Sequence, residues 1–357
     1  MFLMLVLAIA LAGFAIFSSA ALGLLARENS SVSRDILLQA GLGLGLGLLA
    51  FLLARAVSLA WIKRFAPYLY VLTILFTALV FVPGIGFHSG GATRWVNLGF
   101  TTVQPAEFLK IGFVLALAWW LAPRARQLTN IRKGLLPFIA LLAVPTILLL
   151  AQPNTSTTLL LLTTGAVMYF VAGAPWRDFG ILVLVAVCAL GVVILARPYV
   201  LERIKTFLNP SANSLSSGYQ IQQSLIAIGS GGLLGRGFGQ SVEKFNYLPE
   251  PDGDSVFAVF AEETGFLGSA ILLVLFIALA ARGIVIAGTS RDLFGGLVAL
   301  GFSFIIILQA FINVGAMLGI IPLTGLPLPF VSHGGTALMA VLLMCGFILN
   351  VAAHRTT

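Results

Sequence analysis

The chain has 357 residues, 59% of them hydrophobic and 9% charged, with a mean hydropathy of +1.07; soluble domains carry roughly 25% charged residues, so the composition excludes a soluble globular protein and indicates an integral membrane protein. Runs of about 20 apolar residues indicate spanning helices rather than the alternating strands of a porin-type barrel. The net charge of +8 invites a nucleic-acid partner, but most basic residues fall where membrane topology needs them, and none is expected.

Met1 to Leu25 is too long for a signal-peptide core and has no cleavage-like end, so it reads as the first span. Further spans are predicted at about 36–57, 67–82, 106–122, 134–151, 156–173, 178–196, 264–286, 292–315 and 334–353, ten in all. The expected fold is an all-α polytopic bundle forming one membrane domain over residues 1–357. Cys188 and Cys345 lie in apolar runs without ligand partners and suggest neither a disulfide nor a metal site. Alternate short loops hold eleven basic residues on the side of the N-terminus (Arg55, Lys63, Arg64, Arg124, Arg126, Arg132, Lys133, Arg177, Arg282, Arg291, Arg355) and three on the other (Arg27, Arg34, Arg94). That asymmetry predicts cytoplasmic termini and an extracytoplasmic loop over 197–255.

A loop that long is usually functional. Within it Leu201, Ile204, Phe207 and Leu208 recur at helical spacing opposite charges, as in an interfacial helix, and Ile221, Leu225, Ile226 and Ile228 repeat the pattern. Asn209 to Gly218 reads as a turn-rich break. Gly229-Ser-Gly-Gly-Leu-Leu-Gly-Arg-Gly-Phe-Gly239 fits neither phosphate-loop pattern. A flexible turn is the first reading, with a pyrophosphate cradle around Arg236 as the alternative.

The scarce acids converge on one stretch: of 12 in the chain, Glu243, Glu250, Asp252, Asp254, Glu262 and Glu263 fall between 243 and 263. Carboxylates near lipid are costly and mark functional sites. Asp254 or Ser255 also suits the N-cap of a helix entering the membrane at Val256. The Asp252-Gly-Asp254 pair further suits a divalent cation, Mg or Mn, or a glycosidase dyad, although no aromatic sugar platform is close. Glu107 and Lys110, three residues apart, lie on one helix face and can neutralise each other. Gly319 to Gly335 is apolar yet broken by three prolines and four glycines, so it is no regular span and is expected to line a cavity. His333, at its end, suits a proton carrier or a hydrogen-bonded structural role.

Seven motifs in this order carry a family resemblance: Gly91-Ala-Thr-Arg-Trp-Val-Asn-Leu-Gly99 with Gln104-Pro-Ala-Glu-Phe-Leu-Lys110, Gln152-Pro-Asn154, Tyr219-Gln-Ile-Gln-Gln-Ser224, Ile226 to Gly237, Leu248-Pro-Glu250 and Pro327-Leu-Pro-Phe-Val-Ser-His-Gly-Gly335. Along nearly its whole length the chain resembles the SEDS proteins (shape, elongation, division and sporulation), the bacterial peptidoglycan polymerases that include RodA and FtsW, with its short termini nearer the RodA type. The resemblance implies a glycosyltransferase that polymerises lipid II outside the cytoplasmic membrane, usually beside a class B penicillin-binding protein that crosslinks the product. The family's catalytic aspartate follows Leu-Pro-Glu after three residues, which implies Asp254 as general base. Arg94 and Lys110 then become candidates for binding the substrate pyrophosphate, with Glu107 beside them and Arg203, Arg236 and Lys244 following. Glu250, Asp252, Ser332 and His333 are secondary candidates, and Glu262 and Glu263 are expected to support the helix.

The chain departs from the family pattern in three places. Where members usually read His-Thr-Asp-Phe it has Asp252-Gly-Asp-Ser255; Gln-Pro-Asp-Leu-Gly reads Gln152-Pro-Asn-Thr-Ser156; and Ser-Tyr-Gly-Gly reads Ser332-His-Gly-Gly335. Two other functions suit a polytopic bundle with a buried charge pair: a lipid II flippase and a non-catalytic scaffold. A transporter concentrates its acids at mid-bilayer between internal repeats; here they gather at one interface and no repeat is visible.

Overall fold

In hydrocarbon a backbone must satisfy its own hydrogen bonds, and the long apolar runs do so as helices. The structure is a computed structural model that describes residues 1–26, 32–89, 92–99, 101–196, 198–209, 217–245 and 247–354. Its helices are α1 (Phe2–Ala21), α2 (Val32–Leu38), α3 (Leu46–Ala56), α4 (Leu59–Ala78), α5 (Pro105–Leu121), α6 (Leu135–Ala151), α7 (Thr155–Val171), α8 (Trp176–Ala196), α9 (Pro198–Leu208), α10 (Ser217–Ser230), α11 (Val256–Gly288), α12 (Leu293–Met317) and α13 (Gly335–Ala353). A π-helical stretch, Gln39–Gly45, joins α2 to α3. Among the described residues seven helical segments are long and apolar enough to cross a membrane, while α6 and α7 are shorter apolar helices. Of the residues used for the charge count, Arg27 and Arg355 lie outside the described residues, as does most of the turn expected at 209–218.

Two helix boundaries and one loop differ from expectation. The segment predicted from 67 begins at Leu59, because Ser58 caps it and Pro67 is carried inside the helix. The span predicted from 264 begins at Val256 and runs to Gly288, with a break at Gly265, whose φ of 67° only glycine adopts readily. A small antiparallel sheet, β1 (Gly86–Ser89), β2 (Ala92–Asn97) and β3 (Thr102–Val103), stands where only a loop was expected. Strands this short in a glycine-rich stretch leave too few residues for an alternation to register.

One apolar core joins residues of α1, α3 to α7 and α10 to α13. α3 packs along α13, α4 along α5, and α11 along α12. Between α12 and α13 the chain is irregular, with positive φ at Gly319, Gly325, Phe330 and Gly334. Its exposed carbonyls are taken by side chains of the bundle. Gln309 donates to Pro327 at 2.9 Å, Asn313 to Leu326 at 2.9 Å, Ser156 to Thr324 at 2.5 Å and Gln39 to Ser332 at 3.3 Å. Irregular backbone inside an apolar bundle survives on such partners.

Candidate active site

The acid-bearing loop folds tightly before α11. The Glu250 carbonyl accepts from the N–H groups of Gly253 and Ser255 at 3.1 and 3.2 Å, and Glu250 itself takes φ 47°. A non-glycine residue at positive φ costs about 1–3 kcal/mol and persists where its surroundings hold it. Of the two expected caps it is Ser255 that stands at the N-cap of α11, which starts at Val256 as expected, although it makes no side-chain cap bond and its hydroxyl accepts from Gln220 at 2.9 Å. Asp254 is therefore not spent on the helix.

Asp254 is partly buried. Its backbone carbonyl accepts from Asn313 at 2.9 Å, and its carboxylate lies against the bare backbone of Gly325, where an added Cβ would sit 3.3 Å from Oδ2. Burial, then the neighbouring Glu250 and, more weakly, Asp252 push its carboxyl up to about 6, while Arg203 and Arg94 act in the opposite direction. Those two arginines come from separate elements. Arg94, on β2, donates to the carbonyls of Gln152 and Pro153 at the turn before α7. Arg203, on α9, donates to the Thr324 carbonyl at 3.4 Å. On α9, Leu201 and Leu208 are exposed, Arg203, Ile204 and Phe207 are half-buried and Thr206 is buried; on α10, Ile221 is buried while Leu225 and Ile226 are exposed, so both helices keep apolar side chains at the surface, as interfacial helices do.

Beneath Arg94, a polar cavity of about 450 Å³ opens between β1, β2 and the α6–α7 turn, lined by His88, Thr93, Gln152 and Pro153 among others. Between α4, α5 and α13 lies an apolar groove of about 520 Å³, lined by Leu69, Leu72, Phe76, Leu79, Phe108 and Phe347 among others.

Two lysine candidates are engaged inside the bundle. Lys110 is fully buried and bonded to Glu107 and Gln309, each at 2.8 Å. Gln309 in turn donates to the Pro327 carbonyl. Lys244, also fully buried, donates to Glu263 at 2.7 Å, Ser19 at 3.2 Å and the Gly239 carbonyl at 2.9 Å. Glu262 accepts from Ser241 and from the N–H of Val242, and lies 3.4 Å from Arg236. A charge inside an apolar bundle is stable only when paired, which is why both lysines face inward partners. The glycine-rich turn is likewise occupied. Arg236 and Gly237 donate their N–H groups to the carbonyls of Glu262 and Glu263, and Gly232 and Leu233 accept from Phe266 and Leu267, so the turn clamps the Gly265 break instead of cradling a pyrophosphate.

His333 and Ser332 lie against the acid loop. The imidazole Nδ1 is 3.2 Å from an Asp252 carboxylate oxygen, and the Ser332 hydroxyl donates to the Gly253 carbonyl at 2.8 Å. Among the described residues no group of three or more His, Cys, Asp or Glu is arranged to hold a metal ion. The sequence reading did not single out Asn313, Gln309, Ser156 or Gln220. Asn313 and Gln309 were detectable as polar residues in an otherwise apolar span.

A family model described as "Cell cycle protein" and covering FtsW, RodA and SpoVE matches residues 1–357. The chain is 38% identical over 310 residues to the stage V sporulation protein E of Bacillus subtilis, spanning 87% of this chain and 85% of that one. It is 35% identical over 319 residues to the peptidoglycan glycosyltransferase MrdB of Escherichia coli K12, spanning 87% and 84%. Among solved structures it is similar to a chain described under the structural coordination of polymerization and crosslinking by a peptidoglycan synthase complex. That similarity has a TM-score of 0.80 and 32% identity, covering 100% of this chain and 98% of the other.

Proposed function

The chain belongs to the FtsW, RodA and SpoVE family and is a peptidoglycan glycosyltransferase, and from that premise we propose that it polymerises lipid II by inverting transfer with Asp254 as general base. The observation that carries this reading is the setting of Asp254: a partly buried carboxylate raised to about 6, acted on by Arg203 and Arg94. Such a group is ionised near neutral pH yet accepts a proton more strongly than an ordinary aspartate, as a general base requires.

The acceptor's 4-hydroxyl gives its proton to Asp254 as its oxygen bonds to the donor's anomeric carbon. The bond from that carbon to the pyrophosphate breaks, and its electron pair leaves with the pyrophosphate. The donor linkage is α and the polymer linkage β, so one in-line displacement suffices. Arg94 and Arg203 stabilise the leaving charge, which removes the need for an acid. The groove beside α4 and α5 suits the polyprenyl tail of the substrate.

In this reading all ten apolar segments cross the cytoplasmic membrane with both termini inside, and 197–255 lies outside. A class B penicillin-binding protein crosslinks the product; the similarity to a chain of a polymerising and crosslinking complex supports such a partner. A divalent cation finds no ready cage, since Asp252 is engaged by His333, and no step here runs through one. The test is synthesis by the purified chain in detergent supplied with lipid II. Glycan polymer supports the reading; transbilayer movement of lipid II in vesicles with no polymer would replace it with transport.

A further inference from the structure

Asp252, on the acid loop, and His333, at the end of the proline-broken segment, meet beside Asp254. The His333 N–H donates to the Asp252 carbonyl at 2.7 Å, and the imidazole Nδ1 lies 3.2 Å from Asp252 Oδ2. Phe17 stacks on the ring with centroids 5.6 Å apart. Asp252 is only 4% exposed, so its carboxylate depends on that partner. Three successive carbonyls are thereby held: Asp252 by His333, Gly253 by Ser332 and Asp254 by Asn313.

We propose that Asp252 and His333 act as one latch that positions the Asp254 carboxylate, each effective only with the other. The inference rests on Asp254 being the base. The titratable groups around that carboxylate are Glu250 and Asp252 on its own loop, Arg203 on α9 and Arg94 on β2, with the His333 imidazole against Asp252. Removing the imidazole strands a buried acid two residues from the base; removing the Asp252 charge takes away a neighbour that disfavours ionisation of Asp254. Both single changes should therefore slow the reaction, and Asp252→Asn should also move its acidic limb downward.

The experiment compares Asp252→Asn, His333→Gln, the swapped double variant Asp252→His/His333→Asp, and Asp254→Asn, all assayed for lipid II polymerisation across pH. A misplacement of about 1 Å costs on the order of 100-fold, so each single variant should lose about 10- to 100-fold in kcat with KM little changed. Asp252→Asn should shift the acidic limb downward, and the swapped pair should recover most of kcat. Single variants within twofold of wild type, an acidic limb that moves upward in Asp252→Asn, or a swapped pair no better than the poorer single variant each overturn the latch. If a single variant fails to fold, the swapped pair decides: folded and active supports the proposal, folded and as slow as Asp254→Asn overturns it. Full activity in Asp254→Asn would instead remove the base on which the latch rests, a separate failure.

Discussion

The side-chain amide of Asn313 donates to the carbonyls of Asp254 and Leu326, each at 2.9 Å, so one residue of α12 ties the acid loop to the proline-broken segment. Asn313 is 1% exposed. Asn313→Leu keeps the volume but leaves two buried carbonyls unsatisfied, at about 1–3 kcal/mol each. A lower melting temperature in detergent and a loss of polymerisation of about 10-fold or more are expected. A variant that melts lower but turns over normally would show that Asn313 serves the fold alone.

The pH dependence follows from the environment of Asp254. Activity should rise with pH through about 6, the value to which burial and Glu250 raise its carboxyl. Glu250→Gln should move that limb downward, and Arg203→Ala or Arg94→Ala upward, because the first removes a like charge and the others remove opposite ones.

Stability carries the opposite sign. The folded protein favours protonated Asp254, so the stability from this group is fully present below the ordinary value of 3.8 and lost as pH rises through about 6. Asp254→Asn should accordingly melt above wild type at pH 8, with the gap closing towards pH 4. A gap that widens on acidification would contradict the raised value.

Lys244 and Glu263 form a buried pair at 2.7 Å with both side chains shielded from solvent. Removing one partner of such a pair costs about 3–5 kcal/mol, whereas replacing both by apolar groups is often neutral. Lys244→Met should therefore melt well below wild type, and Lys244→Met/Glu263→Leu should recover most of the loss along with activity. A stable double variant with no polymer would return Lys244 to the substrate site.

Seven of the ten expected spans coincide with helical segments long and apolar enough to cross a membrane, and they were legible because about 20 mostly apolar residues have few folding options near lipid. Asp254 stood out as a candidate because acids are scarce in this chain and because Leu248-Pro-Glu250 precedes it, although the residues on either side of it depart from the family pattern. The Glu107–Lys110 pair was legible because three residues of helix separate its members, whereas the partner of Lys244 was not, because a sequence does not show which carboxylate of another segment meets a cation in an apolar setting. Arg203 follows the pattern of α9: an interfacial helix keeps its leucines at the surface and turns its charged side elsewhere, and here Arg203 reaches the Thr324 carbonyl. The contact of Asp252 with His333 lies beyond any local pattern, since neither residue predicts the other until the loops are folded together.

The central claim is that one carboxylate accepts the proton. Its most direct measurement is glycan polymer made from lipid II by purified Asp254→Asn protein whose melting curve shows it folded, beside Asp252→Asn and wild type. The account predicts no polymer from Asp254→Asn at any pH and measurable polymer from Asp252→Asn. Polymer from Asp254→Asn at the wild-type rate, or a deeper loss at Asp252 than at Asp254, would contradict it.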